Sequence, residues 1–349
     1  MATHIVNTAN EDNDSSNAVL SLREAITAAN SGDTIEFDPS LSSETILLSD
    51  QLTINKSLTI DGDTDNDDST ANITIDAQGN SRVFEITDTS FSGRRTVIFD
   101  GLTITGGEVS GDGGGIFNRE NLTLNNSTIT GNSAGSDGGG IYNSVGILNI
   151  NNSTLDSNTA NSNGGGIYSN GRTVLNVGSF GAAVNLSNST VSGNTSGNRG
   201  GGVYNGLEGN GSTANIANTT ISNNDASQGG GIYNRDTAEV VSTIIATNTT
   251  STSPDVQGTF TSGGNNLIGN GDGSTGFTDG SNGDIVGTAA SLEAPGLEDL
   301  ADNGGPTQTH ALQPTSQAIN AGNYSAGLSS DQRVEARTQL GTTDIGAYE

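Results

Sequence analysis

Gly113-Gly114-Gly115-Ile116-Phe117-Asn118 decides the fold, because the chain repeats it. It returns as Gly138-Gly139-Gly140-Ile141-Tyr142-Asn143, Gly164-Gly165-Gly166-Ile167-Tyr168-Ser169, Gly200-Gly201-Gly202-Val203-Tyr204-Asn205 and Gly229-Gly230-Gly231-Ile232-Tyr233-Asn234, at intervals of 25, 26, 36 and 29 residues. A second shared string runs between the triplets. Leu122-Thr-Leu-Asn-Asn-Ser-Thr-Ile-Thr-Gly-Asn132 recurs from Leu148 to Asn158, from Val184 to Asn194 and from Ala214 to Asn224. Each repeat thus holds three short alternating runs, such as Ile116, then Leu122 and Leu124, then Ile129. Period-two alternation is the mark of a half-buried strand, and the intervening Gly, Asn and Ser supply turns. Three strands in roughly 25 residues cannot bury an apolar face alone, but they can when stacked on their own copies. The pattern predicts an all-β chain folded as a right-handed parallel β-helix of about ten coils, each rising about 4.8 Å.

Composition agrees. Hydrophobic residues are 30% of the 349, too few for a thick core, whereas a solenoid core is one side chain wide. Charged residues are only 14%, so this is not a charge-expanded disordered chain. No apolar run approaches the length of a membrane-spanning helix, and Met1-Ala2-Thr3-His4 lacks the basic-then-apolar pattern of a secretory signal. The formal charge is −28, which sets nucleic acid and anionic membrane surfaces aside as partners and favours divalent cations. With no cysteine there is no thiol chemistry, and two histidines at opposite ends of the chain speak against zinc.

The alternation begins before the triplets, at Ile46 to Leu48, Leu52 to Ile54, Leu58 to Ile60, Ile73 to Ile75, Val97 to Phe99 and Leu102 to Ile104. Residues 46–250 therefore read as the coils. Residues 1–45 read as an N-terminal cap, because Ser21-Leu22-Arg23-Glu24 is a capping box that opens a short amphipathic helix over 21–30, placed to cover the core's open end. Residues 251–349, rich in Gly and Asn, read as the last coils and an irregular C-terminal cap. Stacking aligns Asn132, Asn158, Asn194 and Asn224 in one register and Asn126, Asn152, Asn188 and Asn218 in another, where amides satisfy one another and the turns.

Leu20-Ser21-Leu22-Arg23-Glu24-Ala25-Ile26 resembles the CSLREA motif found near the start of bacterial surface β-helix proteins. The stretch Gly304-Gly305-Pro306-Thr307-Gln308-Thr309-His310-Ala311-Leu312, then Ser316 to Gly322, Asp331-Gln332-Arg333 and Asp344-Ile345-Gly346-Ala347-Tyr348-Glu349, resembles the choice-of-anchor Q domain. With the repeats, the resemblance covers nearly the whole chain. It implies an extracellular or cell-surface β-helix and no established chemistry. The chain departs from these patterns at Leu20, where the motif has Cys, at Gln317 and Asn320, which replace Pro and Asp, and at Val334, which replaces Gly.

Three sets of residues are candidate sites. Asp61, Asp63 and Asp65 alternate as carboxylates do in an EF-hand loop, where Ca²⁺ takes about six to eight oxygens. Asn66 and Asn72 stand where that loop has Gly and Glu. Glu11-Asp12-Asn13-Asp14, and Asp272 with Asp279 and Asp284, are further acidic candidates. Second, Phe117, Tyr142, Tyr168, Tyr204 and Tyr233 each follow the buried residue of the triplet strand and so point outward in one stripe, suited to a polysaccharide or to another copy of the chain. Third, Arg119-Glu120 and Arg235-Asp236 occupy matching places in the repeat, but about four coils, roughly 19 Å, apart. That separation, with no Ser-His-Asp set, leaves no catalytic residue to name. The leading expectation is a non-catalytic structural or adhesive solenoid; the alternatives are a polysaccharide lyase or hydrolase and a self-assembling fibre subunit.

Overall fold

The computed structural model describes residues 1–11, 19–64, 73–88, 93–174, 178–207, 209, 211–250, 252–323, 328–337 and 342–349. Its strands form a right-handed parallel β-helix with three long faces. Sheet I stacks ten strands from Thr3–Val6 to Thr261–Gly264 and includes Asn121–Asn125; sheet II stacks ten from Thr45–Leu47 to Ile285–Val286 and includes Thr128–Thr130; sheet III stacks nine from Leu52–Ile54 to Ser274–Thr275 and includes Ile116–Asn118. A four-stranded ribbon of two-residue strands, Glu108–Val109 to Thr195–Ser196, lies between sheets II and III in each coil's course. Register follows the repeat: Ile116 pairs with Ile141, Leu122 with Leu148 and Ile129 with Leu155. One continuous apolar cluster runs from Val6 to Ile268.

Backbone groups at the coil corners lie inside that core, and buried side chains satisfy them. Asn132 donates from Nδ2 to Oδ1 of Asn158 at 3.0 Å, Asn158 to Asn194 at 2.9 Å, Asn194 to Asn224 at 2.9 Å and Asn224 to Asn248 at 2.9 Å. The same oxygens also accept the backbone N–H of the preceding asparagine. The column ends where Asn248 donates to a carboxylate, Asp255 Oδ1, at 2.9 Å. A parallel column of hydroxyls, from Ser127 through Ser153 to Ser189, occupies the preceding corner; its downstream part runs from Thr243 to Asn266 and ends on Asp284. The register of Asn126, Asn152, Asn188 and Asn218 serves differently: all four have φ between +47° and +49°, the left-handed corner that asparagine tolerates better than other side chains. A third buried column, Asn118 to Asn143, breaks at Ser169, whose side chain is too short to reach the next amide. Asn205 Oδ1 is left without a partner there.

Each triplet glycine has its own reason. The first, Gly138 for example, has φ +70° and folds back so closely that a Cβ would sit 2.6 Å from the Ile141 carbonyl oxygen. The third, Gly140, would put a Cβ 2.7 Å from the Gly166 carbonyl oxygen on the next coil.

The N-terminal helix α1 (Leu22–Ala28) buries Leu22, Ala25 and Ile26 against the first coil, and Ser21 and Glu24 close the capping box. Its C-terminal end is satisfied by Lys56, the chain's one lysine, whose Nζ donates to the carbonyls of Ile26, Thr27 and Ala29 at 2.9, 3.3 and 2.7 Å. Gly32, at φ +96°, turns the chain into the first long strand after the helix has ended.

The irregular C-terminal segment does more than close the last coil. After the last coil it returns along the outer face of sheet II as far as Asn152, whose carbonyl accepts from Thr307, and then comes forward again to Asn265, which donates to the Ala321 carbonyl. A second apolar cluster joins Ile244, Ala246 and Leu267 of sheet II to Ala318 and Ile345 of this strap.

Asp255 is 3% exposed, and burial lifts its carboxyl to about 6, against the bonds from Asn248 and Asn270 that pull it down. A raised folded-state value means stability that is complete below about pH 3.8 and is lost as pH rises through 6, about 2–3 kcal/mol for this group. Thermal melts should show a melting temperature that falls from pH 4 to pH 7. Asp255→Asn should flatten that slope, and an unchanged slope would exclude Asp255 as its source.

Candidate functional site

The five aromatic residues form one column on sheet III. Alternation buries Ile116 and Asn118 and turns Phe117 outward, and the parallel register carries this through every coil. Successive ring centroids, from Phe117 through Tyr142, Tyr168 and Tyr204 to Tyr233, lie 5.2, 5.0, 4.8 and 5.6 Å apart, with interplanar angles of 10°, 11°, 11° and 3°. The rings therefore stack face on face along the solenoid axis. Guanidinium groups lie near the terminal rings: Arg82 and Arg119 are 5.2 and 5.1 Å from the Phe117 centroid, and Arg199 is 5.2 Å from that of Tyr233. Tyr168 and Tyr204 are only 6% and 2% exposed, although they point away from the core.

This geometry changes what the column can do. A sugar stacks on a free ring face, and here both faces of Tyr142, Tyr168 and Tyr204 rest on other rings. What reaches solvent is the edge of the column, at Phe117, Tyr142 and Tyr233, which are half-buried. The inner phenols are held protonated. Burial first, then Asp112 and Asp137, push Tyr142 up to about 12; burial, then Asp137, pushes Tyr168 higher still. The Tyr168 hydroxyl accepts from Asn170 Nδ2 at 3.3 Å.

The acidic candidates are separated. Asp61 lies on the outward side of sheet I in register with Asp100, and its Oδ1 accepts the Asp63 N–H at 3.1 Å. Burial lifts Asp61 to about 6, with Asp100, Asp63 and Glu36 adding to the rise. Asp65 lies outside the described residues, as do Asp12, Asn13 and Asp14. Among the described residues no three acidic or histidine side chains are placed to hold a metal ion together. Glu11 is occupied by Arg23 and Ser49. Asp272, Asp279 and Asp284 accept separately from Ala289, from Val286, and from Asn266 with Ser262.

The matched arginine–carboxylate pairs do not form an acid–base site. Arg119 lies over Phe117, while Glu120 is buried and accepts the backbone N–H groups of Asp88 and Arg95 at 3.2 and 2.7 Å. One pair escaped the sequence: Ser192 Oγ and His310 Nε2 are 2.9 Å apart, with His310 Nδ1 2.7 Å from the Glu298 carbonyl oxygen. Burial lowers the His310 pKa, so the neutral ring donates to Glu298 and accepts from Ser192. The arrangement copies two members of a hydrolytic triad, but Ser192 and His310 are 2% and 1% exposed, beneath the strap. It fastens the strap to sheet II. Gln332 does the same, accepting from Thr190 at 2.7 Å and donating to Thr154 at 2.9 Å, as does Arg337, bonded to Asn188 at 2.8 Å. A crevice of about 240 Å³ lies where the strap crosses Ser222, Asn223 and Thr247. Two carboxylates, Glu298 and Asp299, line it, where the register of the strand Leu297–Ala301 against Thr309–Leu312 shifts.

Residues 126–144 match the Chlamydia polymorphic membrane protein repeat. The matched stretch contains Asn132 of the buried amide column, the Gly138 triplet and Tyr142 of the ring column, so the similarity rests on the residues that make a coil. No curated protein matches the chain. None of the described helices is long and apolar enough to cross a membrane.

The burial of the inner rings predicts their energetic role. Tyr204→Ser should lower stability by about 3 kcal/mol, because it leaves a gap between two stacked rings, whereas Tyr204→Phe, which keeps the stack, should melt close to the parent. Equal melting temperatures for the Ser variant and the parent would show that the column contributes nothing.

Proposed function

We propose that the chain is a surface-exposed, non-catalytic β-solenoid that acts as an adhesive or structural module, displaying its flanks to molecules outside the cell. The observation that carries this is the repeat match at 126–144, which lies on coil-forming residues and belongs to a family named for membrane proteins. The occupied ring faces, the separated carboxylates and the strap-covered Ser192–His310 pair support the non-catalytic part. Labelling intact source cells with an antibody raised against the purified chain tests the placement. Signal on unpermeabilised cells is expected, and signal that appears only after permeabilisation overturns the reading.

A calcium ion at the turn beginning with Asp61 and Asp63, with Asp65 as a further ligand, is part of the proposal. Its support is the placement of Asp61 beside Asp63 and in register with Asp100, whose charges add to the effect of burial in lifting Asp61 and would be offset by a hard cation. Millimolar Ca²⁺ should raise the melting temperature by a few degrees and chelator should reverse it. Asp63→Asn/Asp65→Asn should abolish the difference. Superimposable melts with Ca²⁺ and with chelator remove calcium from the reading and leave the rest standing.

A further inference from the structure

The outer face of sheet I carries a chemistry that neither the core nor the strap uses. In one outward column Asn215 donates from Nδ2 to Asn185 Oδ1 at 2.8 Å, Asn185 to Asn149 at 2.8 Å, and Asn149 to Thr123 Oγ1 at 3.3 Å. In the column beside it Asn151 donates to Asn125 at 3.0 Å, and Asn125 to Asp100 at 3.3 Å. All of these amides are half-buried or exposed, in contrast to the strap-covered residues of sheet II. Asparagine is among the residues that strands disfavour, and at a solvent-facing position threonine would suit the strand better. Here it recurs in successive coils, and neither column carries an apolar or charged side chain between Thr123 and Asn215 or between Asn125 and Ser187.

An amide offers two N–H donors and two acceptor positions. The column uses one donor and one acceptor of Asn149 and of Asn185, so each keeps a donor and an acceptor side by side, fixed in orientation and repeated about every 4.8 Å. From this we infer that the outer face of sheet I binds a neutral, extended polysaccharide laid along the solenoid axis. The inference rests on the surface-exposed reading above. Each hydroxyl of such a polymer both donates and accepts, which matches the free pair on each amide, and the columns hold those amides before the ligand arrives, which lowers the cost of binding. Single contacts are weak and add along the length of the chain. Charge selects against the alternatives. Toward the N-terminus the Asn125 column passes into Asp100 and Asp61, on a protein of charge −28, so a uronate or sulfate polymer is repelled. Both columns lie within the sheet, flanked by paired strands, so they offer no strand edge on which a peptide could be held.

Affinity electrophoresis tests the inference, with native gels cast with hydroxyethyl cellulose, mixed-linkage β-glucan or galactomannan, and with alginate as the anionic counterpart. At least one neutral polymer should retard the full chain and alginate should not. Asn149→Ala/Asn185→Ala/Asn215→Ala should weaken retardation at least tenfold while the circular dichroism spectrum is kept. Should that variant fail to fold, Asn149→Thr/Asn185→Thr/Asn215→Thr, which extends the residue already at Thr123, gives the same reading. Retardation by alginate alone, by no neutral polymer, or equally in parent and variant overturns the inference. So does self-association of the parent that the variant loses without either binding polymer. None of these results touches the surface labelling, which alone decides the reading on which the inference depends.

Discussion

The structure depends on a column of buried amides. A parallel solenoid turns its corners inside its own core, where a backbone N–H or C=O without a partner costs about 1–3 kcal/mol. One asparagine per coil removes that cost: Asn158 receives two bonds from the coil before it and gives two to the coil after it, and its Nδ2 makes a further bond back to the carbonyl of Ile129. An apolar side chain at this register would leave those groups unsatisfied. From Asn132 to Asn248 every coil carries the amide in line, which locks those coils in register. The three sheets then stay parallel, the glycine corners approach backbone to backbone, and a single width of Ile, Leu and Val suffices for the core.

With the corners settled, the three faces diverge in what lies on their outer sides. Sheet III closes its outer surface with stacked rings and nearby guanidinium groups. Sheet II changes from Thr128 and Thr130 to Ile244 and Ala246 at the same outward positions, and where it becomes apolar the strap packs on it. Sheet I keeps amides and hydroxyls open to water. The strap ties coils that would otherwise touch only their neighbours, since Thr154 and Asn265, far apart along the axis, are both bonded to it. Val334, where the resembled pattern has glycine, sits at φ +71° within it, a conformation that β-branched residues resist.

The coils were legible because each repeat states the same pattern several times: the period, the buried Ile and Leu positions, the Asn132 register and the ring column are all properties of one coil copied to the next. The capping box at Ser21 and Glu24 was legible because it is local. Calcium ligation by the acidic runs and the partner of the aromatic stripe are not decided by the fold. What could not be read depends on contacts between distant residues. Nothing near Lys56 announces that its ammonium reaches back to Ile26, and His310 meets Ser192 only because the strap reverses direction. The outward placement of Tyr168 and Tyr204 followed from alternation, but their burial did not, because alternation gives direction and not the neighbours that stack above and below. A signal for the strap did exist: Ile244 and Ala246 break the run of outward Thr and Ser, and an apolar pair on an exposed sheet calls for a cover.

The amide column has a direction. Amide-to-amide bonds all pass toward the C-terminus until Asp255, a group that in its charged form only accepts and that takes the Asn270 N–H from its other side, and the series stops there. A coil inserted between Asn132 and Asn248 continues the series with its own amide and leaves both ends as they were; one inserted directly after Asp255 would present an amide oxygen to a carboxylate that has no proton to give it in its charged form. The solenoid therefore has an interior that can gain or lose whole turns and a terminus that cannot. Change in the length of this protein over evolution, or by design, belongs in the middle of the rod and leaves its closing coils constant.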